Sequence, residues 1–519
     1  MSIQKLRFSI WVFLIGVILS SCSAIHPLTV ISPTQTYTPR FVTVDCAGYV
    51  TYYQFTCGYL VVPEDRLNPD SRIIRLGVAM VKTQIQNSKP DPIVFIYGAP
   101  NPGIVWDYYL YTVDLSFPSD RDFIFFDQRG AGLSVPDLNC LEVDDWYFPS
   151  LSMDPSSPEY RDSLLAAHHA CHDRLVKSGV NLSAYTTAAS VADLVDLRIA
   201  LGYPSWNIYS MGYGAGLALE LMQQDPTGTR SVFFDSALPL QVDTYTEMGF
   251  NAEQGFNLLF IYCAEDPVCN SAYPDLKSTF FEVVDQLNAH PVRLDVPDLY
   301  DDKQNNTFVN GDRIIKVVLN MLPWVSNSSE LPKNSIPRLI YQIHNNQYDV
   351  LKVLLTNNFL TNSYLGNFPD STGMSSRIYC NDVYRYSTLE KVWSANSRIE
   401  PRLAEYFNNE SKIILELCEI WSDTSNAAVI EPDGKSSVPI LVQAGDFDWG
   451  TPTWMVKRFT DSSTNSYDVE YQGAGGLIWR SLLYGTCSRQ IMNAFLNDPY
   501  TQLDITCSKE KKNQLWALP

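Results

Sequence analysis

The chain has 519 residues, of which 45% are hydrophobic and 13% aromatic. That is enough apolar material for a sizeable core, which excludes wholesale disorder, and the length exceeds one ordinary domain. With 37 basic against 57 acidic residues the net charge is −20. Phosphate backbones need clustered Lys and Arg, no such run is present, and nucleic acid is not expected as a partner.

At the N-terminus, Lys5 and Arg7 precede an apolar stretch, residues 9–19 (SIWVFLIGVIL), too short for a comfortable membrane span. Leu19-Ser20-Ser21-Cys22 follows and has the form of a bacterial lipobox. Residues 1–21 are therefore expected to be a lipoprotein signal peptide, with Cys22 acylated as the lipid anchor. Two or more acyl chains on one cysteine would hold the protein stably on the cell membrane or the outer membrane. An ordinary secretory signal with an incidental cysteine fits the same residues. Residues 22–41, rich in Pro, Ser and Thr and without periodicity, are expected to be a flexible tether. Of 11 cysteines, setting Cys22 aside leaves ten, an even number that suggests disulfides in an exported chain. No C-x-x-C pair occurs, which disfavours a zinc ribbon or a thioredoxin-type site.

Strands are expected over residues 57–62 and 73–81. Residues 93–97 (IVFIY) and 122–127 (DFIFFD) are continuous apolar runs, as strands buried on both faces should be. A Gly98-Ala99-Pro100-Asn101-Pro102-Gly103 loop follows the first run, and Gln128-Arg129-Gly130-Ala131-Gly132-Leu133-Ser134 follows the second. Residues 158–179 are expected to be a helix carrying His168, His169 and His172. His168 and His172, one turn apart, would suit a metal, but position 169 is His, H-E-x-x-H is absent, and no third ligand follows. A solvated or hydrogen-bonded histidine cluster is the expectation, with no metal.

Ser190 is expected to cap a helix over residues 191–201. Residues 206–218 (WNIYSMGYGAGLA) then read as a strand, a glycine-rich sharp turn and the start of a helix. Another strand is expected over residues 231–236. The alternation of strand and helix implies a parallel sheet with right-handed crossovers. From about residue 240 to 430 helical patterns dominate, over 280–287, 313–321, 338–355 and 413–421. The acidic run at residues 295–302 lacks alternating ligand spacing and is expected to be a solvated loop, not a calcium site. Strand character returns at residues 438–444 and 467–472.

Several of these stretches carry the motifs of one family. C-G-x-L-x-V-P-x-D falls at residues 57–65, D-Q-R-G-x-G-x-S at 127–134, A-D-L-x-x-L-R-x-A-L-G at 192–202, and G-x-x-D-x-x-T-P at 445–452. The chain thereby resembles the tripeptidyl aminopeptidase/proline iminopeptidase-like branch of the α/β-hydrolases (the S33-type peptidases), from about Cys46 to Cys507. The resemblance implies an α/β fold, a mostly parallel sheet flanked by helices, with a large, mainly helical cap inserted between core strands six and seven. The core would occupy residues 42–240 and 431–519, and the cap residues 241–430. It also implies the pairings Cys46–Cys57, Cys140–Cys171, Cys263–Cys269, Cys380–Cys418 and Cys487–Cys507, an architectural role for Ser134, and no cofactor.

Relatives are exported serine exopeptidases in which G-x-S-x-G presents the nucleophile at a strained strand-to-helix turn. Here Gly212 stands where the serine belongs. The triad acid is retained as Asp448, and Gly476 stands where the histidine belongs. Gly98, Ala99 and Tyr213 fall in the oxyanion region. The six histidines are His26, His168, His169, His172, His290 and His344, and none follows Asp448, whereas the family's order is nucleophile, acid, histidine. The expected reading is a catalytically inactive, peptide- or protein-binding pseudohydrolase. The alternative is an active hydrolase with a displaced nucleophile, Ser210 or Tyr213.

Overall fold

The computed structural model describes residues 37–46, 55–83, 85–97, 120–240, 243–297, 304–325, 335–356, 371–422, 435–510 and 516–518. The leader, Cys22, Gly98 and Ala99 lie outside the described residues. All elements below belong to the compact unit Pro39–Pro519.

In chain order the strands are β1 (Arg40–Val44), β2 (Phe55–Pro63), β3 (Ile73–Val81), β4 (Ile93–Ile96), β5 (Phe123–Phe126), β6 (Trp206–Gly212), β7 (Thr229–Ala237), β8 (Val292–Pro297), β9 (Gln304–Val309), β10 (Ile440–Gly445) and β11 (Ser466–Tyr471). Nine of them form one sheet in the order β1-β2-β3-β5-β4-β6-β7-β10-β11. From β5 to β11 the pairings are all parallel, while β1, β2 and β3 join antiparallel. The apolar runs explain why. All four residues of β4 and of β5 are buried, and β10 is buried throughout, as central strands covered on both faces must be. The strand β1 is a correction to the expected tether, whose last two residues, Arg40 and Phe41, pair with Val61 and Leu60. This extra edge strand also shifts the count, so the insert follows the seventh strand of the sheet, or the sixth when β1 is left out.

The helix expected to start at Ser190 begins a turn earlier, at Thr187, and runs to Leu201. Thr186 is its cap, accepting from the Ala189 N–H at 3.2 Å. Ser190 lies inside it, buried. The Thr-Thr-Ala-Ala run carries no apolar stripe, so periodicity missed that first turn. In the insert, the continuous helix expected over residues 338–355 is two helices, Ile336–His344 and Asp349–Thr356. Asn346, at φ +59°, adopts the left-handed conformation in which helices end. The stretch 413–421 is the last part of a 21-residue helix, Pro401–Trp421. The insert also contains the antiparallel pair β8–β9. Residues 295–297 of the acidic run sit in β8, a correction to the expected loop, and residues 298–302 of that run lie outside the described residues.

Five disulfides join Cys46 to Cys57, Cys140 to Cys171, Cys263 to Cys269, Cys380 to Cys418 and Cys487 to Cys507. Bridges in this number persist in oxidising compartments and mark an exported protein. No helix among the described residues is long and apolar enough to cross a membrane.

The turn after β5 is held by a buried ion pair. Arg129 donates from Nε and Nη2 to the two carboxylate oxygens of Asp193 at 2.8 and 2.9 Å, and from Nη1 to the carbonyls of Glu64 and Ala184 at 2.7 and 2.6 Å. Arg66 binds Asp193 from the other side and Asp196 at 2.8 Å. The Ser134 hydroxyl donates to the Asp127 carbonyl and accepts from the Gly77 N–H, an architectural role. Removing one member of such a buried pair leaves an uncompensated charge, at a cost of about 3–5 kcal/mol. Asp193→Ala should therefore lower unfolding stability by about that amount in guanidinium titration, and a loss below about 1 kcal/mol would show that the pair does not hold the fold.

Candidate active site

The parallel strands β6, β7, β10 and β11 lie side by side, so the loops at their C-terminal ends meet at one edge of the sheet. At the end of β6 the chain turns sharply into the helix Gly214–Gln224. Gly212 is at the apex with φ +50°, a left-handed conformation that glycine adopts without steric cost. Its carbonyl accepts from the Leu238 N–H at 3.0 Å. Behind it, a Cβ at Gly214 would lie 2.6 and 2.7 Å from the carbonyl oxygens of Ile96 and Tyr97. The helix can approach the end of β4 this closely only because that position is glycine.

Across from Gly212, β7 ends in Asp235, Ser236 and Ala237, with Gly212 opposite Ala237. Ser236 also has positive φ, +57°. Its Oγ accepts from the Leu477 N–H at 3.1 Å, and its hydroxyl is bonded to Asp448. Asp235 accepts from the Tyr209 hydroxyl at 2.9 Å and the Ile478 N–H at 3.2 Å. Asp448, after β10, is buried and accepts from the Thr451 hydroxyl at 2.6 Å and the Thr451 N–H at 3.3 Å. Gly476, after β11, donates its N–H to the Pro323 carbonyl of the insert at 2.7 Å.

The side-chain direction at Gly476 points at the acid. A Cβ there would lie 2.8 Å from Asp448 Oδ2 and 3.1 Å from Ser236 Oγ. The fold thus brings positions 212, 448 and 476 to one place, with Ser236 touching both later positions. The carboxylate stands where a residue-476 side chain would begin. Sequence reading missed Asp235 and Ser236; the signal was a charged residue at the end of an otherwise apolar strand.

The other candidates are placed elsewhere or committed. Ser210 is wholly buried in β6, level with Ile96 and Phe234 on the neighbouring strands, and its hydroxyl has no hydrogen-bond partner among the described residues. The Tyr213 hydroxyl is 2.7 Å from that of Thr187, which in turn is bonded to Asp382, and burial pushes the phenol well up. His168 accepts from the Trp421 indole N–H at 3.1 Å, and His172 meets the same ring edge-on at 5.5 Å. Burial pushes His168 down to about 4. No group of three metal-ligating side chains occurs among the described residues.

The family of the α/β hydrolase fold matches residues 91–373. The chain belongs to that family. The TAP-like protein family matches residues 404–507. YuaR of Escherichia coli (strain K12) is 21% identical over 480 residues, 88% of each chain. The tripeptidyl aminopeptidase of Streptomyces lividans is 25% identical over 247 residues, 44% of each chain. Among solved structures, the proline iminopeptidase of Mycobacterium smegmatis is similar with TM-score 0.38 and 14% identity, over 85% of this chain and 97% of that one.

The carboxylates at the sheet edge of this α/β hydrolase are shifted together. Burial pushes Asp235 up to about 7, with the neighbouring charge of Asp448 adding to it, and burial likewise raises Asp448. Burial also raises Asp446 to about 6, Asp312 to about 6 and Glu220 to about 7. A carboxyl whose folded pKa is raised contributes stability below its unfolded pKa, near 4, and loses it as pH rises through the folded value. His168 acts oppositely, since its depressed pKa costs stability as pH falls from about 6.5 towards 4. With more carboxyls than histidines shifted, the melting temperature should rise by roughly 2–5 °C from pH 8 to pH 5. Asp235→Asn imitates the protonated form; it should raise the melting temperature at pH 8 and shrink that slope. An unchanged slope would remove Asp235 from the account.

Proposed function

We propose that this TAP-like α/β-hydrolase chain is an exported, membrane-anchored pseudohydrolase that binds a peptide or protein partner without cleaving it. The observation that carries the reading is the direction of Gly476, whose missing side chain would emerge against the Asp448 carboxylate. An orienting acid remains at the position where the family's histidine would need it, with nothing to orient. Gly212, at the apex of the turn, supplies no hydroxyl. Acyl transfer by a triad needs a nucleophile, a base to take its proton and an acid to hold the base. Losing either of the first two removes on the order of 10⁶ in turnover. Ser210 is a poor substitute, since it is sealed inside a strand with no histidine beside it. The names of the relatives, a tripeptidyl aminopeptidase among them, support peptides as the ligand class. The lipobox-like Leu19-Ser20-Ser21-Cys22 supports the anchor.

A fluorophosphonate probe should leave the wild-type protein unlabelled. Gly212→Ser with Gly476→His restores all three partners and should gain labelling, provided the Asp448 carboxylate swings aside from the 2.8 Å approach. A wild-type peptidase rate that co-purifies with the protein and disappears on Ser210→Ala would overturn the proposal in favour of a displaced nucleophile.

The anchor is tested separately. The native protein should partition into detergent with acyl mass on Cys22, and Cys22→Ala should abolish that partitioning. A water-soluble wild type with an unmodified N-terminus would refute it.

A further inference from the structure

The antiparallel strands β1, β2 and β3 leave part of one sheet face uncovered. Arg40 pairs with Val61 and Val61 with Arg75, and Arg75 is bridged in turn to Val135, just past the turn that leaves β5. This row lies beyond Phe126, the last residue of β5, which is level with Val78, and so sits at the site end of the sheet. Residues opposite one another in a ladder share a face, as do alternate residues along a strand. Val42 and Tyr59 therefore extend the face in one direction and Ile73 in the other. The intervening residues Leu60, Val62, Ile74 and Leu76 point the opposite way and are buried, and the helix Thr187–Leu201 packs on β1 and β2.

The uncovered face is apolar. Val42, Ile73 and Val135 are 42%, 59% and 43% exposed, and Leu67, in the turn joining β2 to β3, is 73% exposed. Towards Cys57 and Ala79 the same face is buried in the core, so only its site end is open. The charged side chains in the row are both arginines, in a chain of net charge −20, and Arg75 lies over the Tyr59 ring at 5.2 Å. Exposed aliphatics beside arginines suit a phospholipid surface, where the aliphatics enter the acyl boundary and the guanidinium groups meet headgroup phosphates.

The path of the chain favours the same occupant. Arg40 is the first residue of β1, so the chain coming from Cys22 joins the fold in this row. A flexible chain from position 22 to position 39 spans roughly 20–25 Å and at most about 60 Å. An acyl group on Cys22 would hold the face within that reach of the bilayer, at an effective concentration on the order of millimolar. A few apolar side chains then suffice for docking, although they would not hold an untethered protein.

We infer that this face, centred on Ile73 and Val135, docks onto the phospholipid bilayer to which Cys22 tethers the chain, and so holds the strand-end site close to the lipid surface. The inference rests on the anchor proposed above. Environment-sensitive fluorophores on Ile73→Cys, Val135→Cys and Ile199→Cys, introduced one at a time, test it on the lipidated protein in phosphatidylethanolamine–phosphatidylglycerol vesicles. Ile199 is exposed on the helix that packs on the opposite face. The labels at 73 and 135 should shift to the blue and be quenched by brominated lipid, while the label at 199 stays open to aqueous iodide. Either of the first two labels decides by itself should the other variant misfold. Equal iodide quenching at all three positions would overturn the inference. So would labels at 73 and 135 that are already shielded without vesicles in a protein of doubled mass, which would assign the face to a second copy of the chain. Acyl mass on Cys22 reads the anchor separately. Should it be absent, the same labels are read on protein held to nickel-chelating lipid by a histidine tag placed at position 22, where shielding supports the docking face and its absence overturns it.

Discussion

Arg129 and Asp193 form the contact on which the site end of the sheet depends. The guanidinium belongs to the turn that leaves β5, and the carboxylate to the helix that leads into β6. Their two parallel hydrogen bonds, with Arg66 also bound to Asp193, fix how that helix sits against the turn after β5. β6 in turn ends at Gly212. A buried, bidentate pair of this kind contributes less by net stabilisation than by the cost of any arrangement that separates the charges.

At the strand ends, where Gly212 and Gly476 carry no side chain, the polar groups close on one another. Ser236 links Asp448 to the Leu477 amide, Asp235 takes the Ile478 amide, and Thr451 binds Asp448 twice. Burial raises both carboxyls, and the charge of Asp448 adds to the rise at Asp235, which is why the cluster favours acid. The insert completes the closure through its backbone, with the Pro323 and Val325 carbonyls accepting the N–H groups of Gly476 and Gly475. Insert and core are thus tied at Gly475 and Gly476.

The insert has its own polar logic. Its apolar helices pack by amphipathic faces, and its buried Arg313 is saturated by the carbonyls of Ser150, Leu151, Met153 and Phe308.

Much of this was legible in the residues because it is local. Short continuous apolar runs suit strands covered on both faces, so β4 and β5 followed from composition over a few residues. The motif at 127–134 and the glycine turn at 212–216 carried their geometry with them, and the motif matches implied both the insert and the pairing of the cysteines. The missing histidine after Asp448 was a matter of chain order alone. Tertiary structure decided what depends on residues distant in sequence. Thr187 opens its helix a turn early because Thr186 caps it, and Asn346 breaks what periodicity joined. Asp235 reads as one charge in an apolar strand until the β7–β10 pairing sets it against Asp448. Whether Gly476 faced the acid or solvent depended on how the loops and the insert pack, and packing is not a periodic property of the chain.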